Sequence, residues 1–530
     1  MSTKGRSRVR TSPEARSAEG SPIATSVPFA TFRDAIEAHA AQTPDAPFVL
    51  APETDRVLTY GELDAACRAF ATTMEGMGVK PGDVVGFMLP NGVPAVTIFL
   101  AAMAGGYVVA PFNLLAQDAH LDHMLGHARP PLVFSATEFA QRLRAACKRT
   151  AVPTRIVEVA AHGLDLDAAS ADARARSEAN TSAMLMYTSG TTGVPKGVLL
   201  THSNMLHAGA AVASHQGLGT HDRVLSSLPL YHINGQCIAT VSTLVTGGSI
   251  VMPQRFSTSQ WWALVERYRP TWLNLVPTII AYLLNAPDPT PGQRDAIAAI
   301  RYARSASAPL SPDQQRAFET RFGIPVIEAM GLTESASVAF CNPMDLAARK
   351  IGSPGKPLGV SARVVSREGK VLGDGESGRI EVRGPTVMRE YFRAPDLTAR
   401  AMSSDGWFDT GDLGHRDADG YYFITGRTKE LIIKGGENIA PREVDEAMLR
   451  HPAILEAVAV GVPDRDYGQE IAAFVVLKPG TTLAADEVVA HCLREVGRYK
   501  TPRYVRFVSE LPKGPSGKVQ RMKLADGFVP

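Results

Sequence analysis

No stretch of the chain comes near the roughly 18 consecutive apolar residues that a bilayer span requires. Cysteine is scarce too. Cys67, Cys147, Cys237, Cys341 and Cys492 lie far apart with no CxxC pair, which excludes a disulfide framework and a zinc site and suits a reducing compartment. Charge of either sign is not in excess: 55 Lys and Arg stand against 53 Asp and Glu, so a dedicated nucleic-acid binder is not expected. Residues 1–20 are basic and Ser-rich and lack the apolar core of a secretory signal, while Glu14 and Glu19 speak against a transit peptide. Residues 1–26 therefore read as a disordered basic tail. What remains is a globular chain, 45% hydrophobic and 20% charged, whose 530 residues exceed one ordinary core. Two or more domains and a cytoplasmic setting are expected, with a homodimer left open.

From about residue 27 to 382, continuous apolar runs alternate with amphipathic stretches. "DVVGFML" (83–89), "SAMLMYT" (182–188), "GSIVMP" (248–253) and "IPVIEAM" (324–330) read as strands; 30–42 and 257–269 read as helices. Buried strands separated by helices predict an α/β architecture with sheets covered on both faces. After about residue 350, "SARVVS" and "RIEVRGP" flank a Gly-rich turn and predict antiparallel hairpins. From about Lys429 a compact α+β unit follows, with a helix from Pro441 to about His451 and strands "AVAVGVP" and "IAAFVVL".

The sequence "YTSGTTGVPKG" (187–197) follows an apolar strand, as phosphate loops do. Its glycines let backbone N–H groups approach an anion, and its hydroxyls and Lys196 add donors. It lacks the register of GxxxxGK[ST]. "GDGESG" (373–378) matches GxGxxG by letter, but it lies between two strands and opens no helix, so it is no dinucleotide site. "EAMGLTES" (328–335) ends a strand with Thr333 and Glu334, and a carboxylate there suits Mg²⁺. "GWFDTGDLG" (406–414) offers Asp409 and Asp412 for hydroxyl recognition or for capping a turn. "LPKGPSGKVQR" (511–521) sets Lys518 in a second Gly/Ser-rich loop.

In order and spacing these segments, with "GRTKELIIKGGENIAPREVDE" (426–446), resemble the adenylate-forming superfamily of acyl-CoA synthetases, peptide-synthetase adenylation domains and luciferases. The resemblance runs from about residue 30 to 523. It implies an α/β fold with a large N-terminal adenylation domain (27–428) that includes a small β-barrel-like part, and a small mobile α+β C-terminal domain (429–530). It also implies attack of a carboxylate on the α-phosphate of ATP, loss of pyrophosphate, and displacement of AMP by a thiol. Thr188, Ser189, Gly190, Thr191, Thr192, Gly193 and Lys196 match the loop around the β,γ-phosphates. Thr333 and Glu334 match the α-phosphate contact and the Mg²⁺ ligand, with Thr188 a second metal contact. Ser307, Ala308 and Pro309, with Glu328, Ala329, Met330 and Gly331, match the adenine-lining segments. Asp412 and Arg427 match the ribose contacts, Lys429 the hinge, and Lys518 the lysine that bridges carboxylate and α-phosphate.

The thiol is expected to be CoA: 498–523 carries eight Lys and Arg against Glu510 alone, and Gly435, Gly436 and Glu437 match the segment beside the pantetheine tunnel. A carrier-protein thiol, with the chain as a stand-alone loading module, and oxygen remain the alternatives. "LPLYHINGQ" (228–236) matches the segment guarding the acyl pocket, with His232 as guard. Asn234, Gln236, Ser305 and Ser307 around it suggest a short acid with a second polar or anionic group, because buried polar groups need a partner. The run 255–280 resembles the branch holding oxalate–CoA ligases, so sulfoacetate, oxalate or a short dicarboxylate is expected. A medium-chain fatty or aromatic acid is the alternative. Arg255 and Arg304 are candidate partners for a second anionic group, with a place on the surface the plainer expectation for each.

Overall fold

The structure, a computed structural model, describes residues 26–160, 163, 164, 166, 174–188, 195–513, 519–526 and 528. Two sheets dominate the large N-terminal domain. The first runs Arg155–Val159, Leu132–Ala136, Val84–Met88, Val108–Pro111, Ser182–Thr188, Lys196–Thr201 and Glu390–Tyr391, parallel as far as Ser182–Thr188 and antiparallel beyond it. The second has nine strands, and its parallel centre includes Arg223–Leu225, Trp272–Leu275, Tyr302–Ser305 and Val326–Met330.

Helices fill the space between these sheets. Val93–Ala104 is buried at every position but Pro94, as a helix apolar on all sides must be. His202–Gln216 starts at a capping box in which Thr201 and Asn204 satisfy each other's backbone N–H groups. The small residues of this helix allow close packing: a Cβ on Gly209 would meet the Val241 side chain at 2.8 Å.

The hairpins expected after residue 350 form an antiparallel sheet of Ser361–Val365, Gly378–Arg383, Phe408–Arg416 and Tyr422–Arg427, an open four-stranded sheet rather than a closed barrel, since its first and last strands do not pair. "GDGESG" is the turn between its first two strands, where Gly375 takes φ 80° and Glu376 accepts from Gly373 N at 2.6 Å. The helix expected over 257–269 is confined to Trp261–Tyr268. Ser257 and Ser259 bond to each other at 3.2 Å, the local competition that keeps serine out of helix interiors.

Thr428–Glu430 forms a turn, with Lys429 exposed, that leads into the smaller C-terminal domain. There Ile432–Lys434, Glu437–Ile439, Ile454–Asp464, Gly468–Leu477 and Tyr504–Phe507 make one sheet covered by Pro441–Leu449 and Ala485–Lys500. Its cores around Ile432, Val444 and Met448 and around Val460 and Phe474 are separate from those of the large domain. Arg521 clamps this unit: it forms an ion pair with Asp445, donates to Ala459 O at 2.8 Å, and lies 3.4 Å from Glu430. Among the described residues no helix is long and apolar enough to cross a membrane, and all five cysteines are free.

Asp445 also accepts from Ala459 N at 2.6 Å, so Asp445→Ala strips Arg521 of its main counter-charge and leaves a buried N–H unpaired. It should destabilise the C-terminal domain by about 3 kcal/mol, seen in a urea melt as an early transition. An unchanged melt would show that Glu430 and Ala459 suffice to hold Arg521.

Candidate active site

Strand Ser182–Thr188 and strand Lys196–Thr201 pair antiparallel, and Thr188 faces Lys196 across the ladder. The two ends of the expected phosphate loop are thus held together, while Ser189, Gly190, Thr191, Thr192 and Gly193 lie outside the described residues. Lys196 Nζ stands 4.7 Å over the Tyr391 ring, and Tyr391 Oη donates to Glu334 Oε1 at 2.9 Å. The Glu334 backbone carbonyl accepts from Met388 N at 2.7 Å, so this carboxylate is fixed from both ends. Burial pulls the Lys196 pKa down and the Glu334 charge opposes it, while Lys429 and Arg400 lower it further. Lys196 therefore has one carboxylate, Glu334, and two further cations within electrostatic reach, an excess of positive charge suited to a polyphosphate with a divalent ion. A hard-oxygen carboxylate in that setting fits magnesium, which takes one or two protein carboxylates and draws its other ligands from phosphates and water. Among the described residues no cluster of three or more His, Cys, Asp or Glu side chains could hold a metal unaided. Tyr391 carried no sequence signal: it sits in a strand of two residues far from any glycine-rich motif.

Below this lies a cavity of about 270 Å³ between the two domains. One wall carries Ser307, Ala308, Pro309, Glu328, Ala329, Met330, Gly331, Asp412 and Arg427, which brings together the expected adenine and ribose residues. Asp412 and Arg427 are register partners on neighbouring strands and bond at 2.8 Å, and the Asp412 charge raises the Arg427 pKa. Gly331 is required by packing, since a Cβ there would come within 2.1 Å of the Ser337 carbonyl. Ser307 is held at φ 75°, a strained conformation for a residue other than glycine. The opposite wall carries Arg442, Asp445, Lys513, Val519 and Arg521. Lys513 and Val519 pair as an antiparallel bridge and flank the segment containing Lys518, which itself lies outside the described residues. Arg442 also donates to Ile424 O at 2.8 Å, a direct bond from one domain to the other.

A second cavity of about 210 Å³ meets the first at Thr278 and Ser307. His232 lines it with Ser227 and an apolar set that includes Leu228, Phe256, Ile279 and Tyr282. Burial pushes the His232 pKa down to about 4, so the ring is neutral at physiological pH. The chain then winds into a wide π-helical turn, Asn234–Val241, of the kind found at functional sites. Asn234 donates to Ser307 Oγ at 3.1 Å and accepts from Asn274 Nδ2 at 3.1 Å. Asn234, Gln236 and Ser305 are buried and line neither cavity; Gln236 Nε2 donates to Leu230 O at 2.5 Å. Arg255 is exposed, whereas Arg304, also expected at the surface, is 0% exposed because its strand lies at the centre of the nine-stranded sheet. Gly435 and Gly436, at φ 54° and 87°, make the two-residue turn before Glu437 and border neither cavity in this arrangement of domains.

Comparison with known proteins bears on the same segments. The family model "AMP-binding enzyme" matches residues 36–392, and "AMP-binding enzyme C-terminal domain" matches residues 443–518. The sulfoacetate–CoA ligase of Cupriavidus necator is 50% identical over 501 residues, 94% of this chain and 97% of that protein. The oxalate–CoA ligase of Arabidopsis thaliana is 33% identical over 484 residues, 89% of this chain and 94% of its own. The crystal structure of ATP-bound MatB from Rhodopseudomonas palustris aligns with a TM-score of 0.85 at 30% identity, over 93% of this chain and 98% of that one.

Glu328 yields a prediction about pH. Its carboxyl is buried in the wall of the larger cavity, and burial raises its pKa from 4.5 to about 7, with Arg442 opposing. Between those values the folded chain holds a proton that the unfolded chain has released, so stability falls as pH rises through the window. Glu328→Gln, which keeps the acceptor for Leu310 N, should remove that slope. The variant should melt with the parent at pH 5 and above it at pH 8, by at most about 3 kcal/mol; parallel melting curves at both values would refute the assignment.

Proposed function

The chain belongs to the AMP-binding enzyme family, and we propose that it is an AMP-forming acid–CoA ligase for a short acid with a second anionic group, sulfoacetate first among candidates. One observation carries the reading. A single cavity is walled by the Asp412–Arg427 pair and the 328–331 segment on one side and by Lys513 and Val519, the flanks of Lys518, on the other. The 50% identity to a sulfoacetate–CoA ligase across almost the full length of both chains supports the acid class.

The chemistry follows from the charges. In the first step a carboxylate oxygen attacks the α-phosphorus of ATP, the bond to pyrophosphate breaks, and an acyl-adenylate forms. Two anions must meet, so cations have to be in place beforehand. Thr188 and Lys196 hold the leaving pyrophosphate, Asp412 and Arg427 hold the ribose, and Lys518 bridges the carboxylate and α-phosphate. Glu334, with Thr188 nearby, would hold a magnesium ion, which would supply positive charge to the phosphate oxygens. In the second step the CoA sulfur attacks the acyl carbon and the bond to AMP breaks. The mainly apolar passage to neutral His232 and Ser307 suits the pantetheine arm and meets the nucleotide cavity where the acyl carbon has to lie. Lys429, exposed in the turn between domains, is the hinge through which the small domain changes partners between steps.

An acid-dependent ATP–pyrophosphate exchange assay, run with a panel of acids, tests the first step; CoA-dependent AMP release without any carrier protein tests the second. Exchange should be strongest with short dianionic acids, and highest turnover on medium-chain fatty acids would overturn the acid class. Lys518→Ala should abolish exchange yet spare thiolysis of a supplied acyl-adenylate, and equal loss of both would remove its bridging role. Tyr391→Phe, which takes one donor from Glu334, should lower kcat/KM for ATP about tenfold and make the enzyme need more Mg²⁺. An unchanged Mg²⁺ requirement would show that Tyr391 does not set that carboxylate.

A further inference from the structure

Arg304 is the one buried charge of the large domain that the reaction described above does not use and that no carboxylate answers among the described residues. Its side chain is 0% exposed, and no oxygen of the described residues accepts from Nε, Nη1 or Nη2. Its neighbours offer no countercharge. The Cys341 sulfur is within hydrogen-bonding reach of the guanidinium, but burial pushes that thiol up, so it is neutral at physiological pH and supplies no charge. His215, also close, is pushed down to about 4 by burial and by the Arg304 charge itself, so it too is neutral. A guanidinium cannot shed its proton at any working pH, and an unanswered buried charge costs several kcal/mol. Such a position is sensible when something outside the chain supplies the anion.

The topology says where that anion enters. Arg304 and Asn274 are register partners on adjacent parallel strands, so their side chains stand side by side on one face of the sheet. That face is the one covered by the π-helical turn, because Asn274 Nδ2 donates to Asn234 Oδ1 at 3.1 Å. Asn234 in turn reaches Ser307 Oγ, and Ser307 lines both cavities. Asn234, Asn274 and Arg304 line neither cavity, but they form a buried polar seam behind Ser307, where the two cavities meet. Along it the Asn274 amide oxygen also lacks a partner among the described residues. Lys196 and Arg427, the cations assigned to the phosphates and the ribose, belong to other elements, so the nucleotide is answered elsewhere.

We propose that Arg304 is the specificity residue of the acid site, binding through its fork of N–H donors the second, non-reacting anionic group of the acid, a sulfonate or a second carboxylate. This rests on the reading of the chain as a ligase of short dianionic acids, and it assigns the recognition to the Asn234–Asn274–Arg304 side of Ser307 rather than to the His232 side. A planar fork matches either oxyanion bidentately. The reacting carboxylate then points back toward Ser307 and the nucleotide cavity. An acid with no second anion leaves Arg304 unanswered and is rejected for that reason, which is discrimination by an unpaired buried group.

The experiment compares the parent enzyme, Arg304→Met and Arg304→Lys in ATP–pyrophosphate exchange with sulfoacetate, oxalate, acetate and propionate. Arg304→Met should cut kcat/KM for the dianionic acids by about 100-fold or more and leave acetate and propionate unchanged or improved; Arg304→Lys should fall between. Sulfoacetate should raise the melting temperature of the parent and not that of Arg304→Met, whose own melting temperature without ligand should be no lower than the parent's. Equal loss on all four acids, or an equal sulfoacetate shift in both proteins, overturns the inference while leaving the ligase reading intact. A parent that prefers the monoanionic acids refutes the acid class itself, and the inference with it. If Arg304→Met fails to fold, the charge is needed structurally, and the dianion-to-monoanion ratio of Arg304→Lys decides: a ratio equal to the parent's counts against the proposal, a reduced one for it.

Discussion

The Asp412–Arg427 ion pair is the contact on which the two domains and the larger cavity converge. It is made by register partners on two strands of the four-stranded sheet, so its geometry is set by backbone pairing rather than by side-chain choice. Arg427 is also the last residue of its strand, and the turn Thr428–Glu430 begins directly after it. Ile424 on the same strand accepts from Arg442 of the small domain, and Glu430 lies beside Arg521. One strand therefore presents Arg427 of the pair to the cavity, anchors the second wall of that cavity through Ile424, and ends where the chain crosses to the small domain.

The rest of the site is an exercise in placing charge where water is scarce. Glu334, Arg400 and Lys429 all act on Lys196, and Tyr391 and the Met388 backbone hold Glu334 in place. Glu328 sits buried with a raised pKa opposite Arg442. Arg304 is buried with no anion beside it among the described residues. In each case the protein's own groups leave a charge only partly answered, and partial answers of this kind are affordable where a charged ligand completes them. Positive groups gather at the phosphate end, a neutral histidine and apolar residues line the second passage, and a lone guanidinium lies beyond Asn234.

Much of this was legible from residues alone, for definable reasons. Strand Ser182–Thr188 coincides with its apolar run because a strand buried on both faces needs an unbroken one. "GDGESG" proved to be a turn because the strands on either side are too short and alternating to feed a helix. The helix 257–269 was overdrawn at its start because serine hydroxyls there bond locally. Tyr391 could not be found at all. Its importance comes from the pairing of Glu390–Tyr391 with Val198 and Leu199, almost 200 residues earlier in the chain, which brings its hydroxyl to Glu334. Arg304 was noticed as a residue but expected at the surface, since nothing in "RYARSASAPL" says that its strand lies in the middle of a nine-stranded sheet.

The sequence by itself determined the alternation of strands and helices, the place where the texture changes near Lys429, and the reaction class. Those are written in local pattern: hydrophobic period, glycine spacing, and short motifs whose chemistry needs particular residues next to each other. Tertiary structure alone decided which charges are buried, which are paired, and which cavity each polar group faces. It joined Lys196 to Tyr391 and Glu334, set Asn234 between Ser307 and Asn274, took Asn234, Gln236 and Ser305 out of the cavity walls, and enclosed Arg304. The physical reason is that the cost of a charge depends on its distance from water and from other charges, and in a parallel sheet those distances are set by strand order, to which neighbouring letters hold no key.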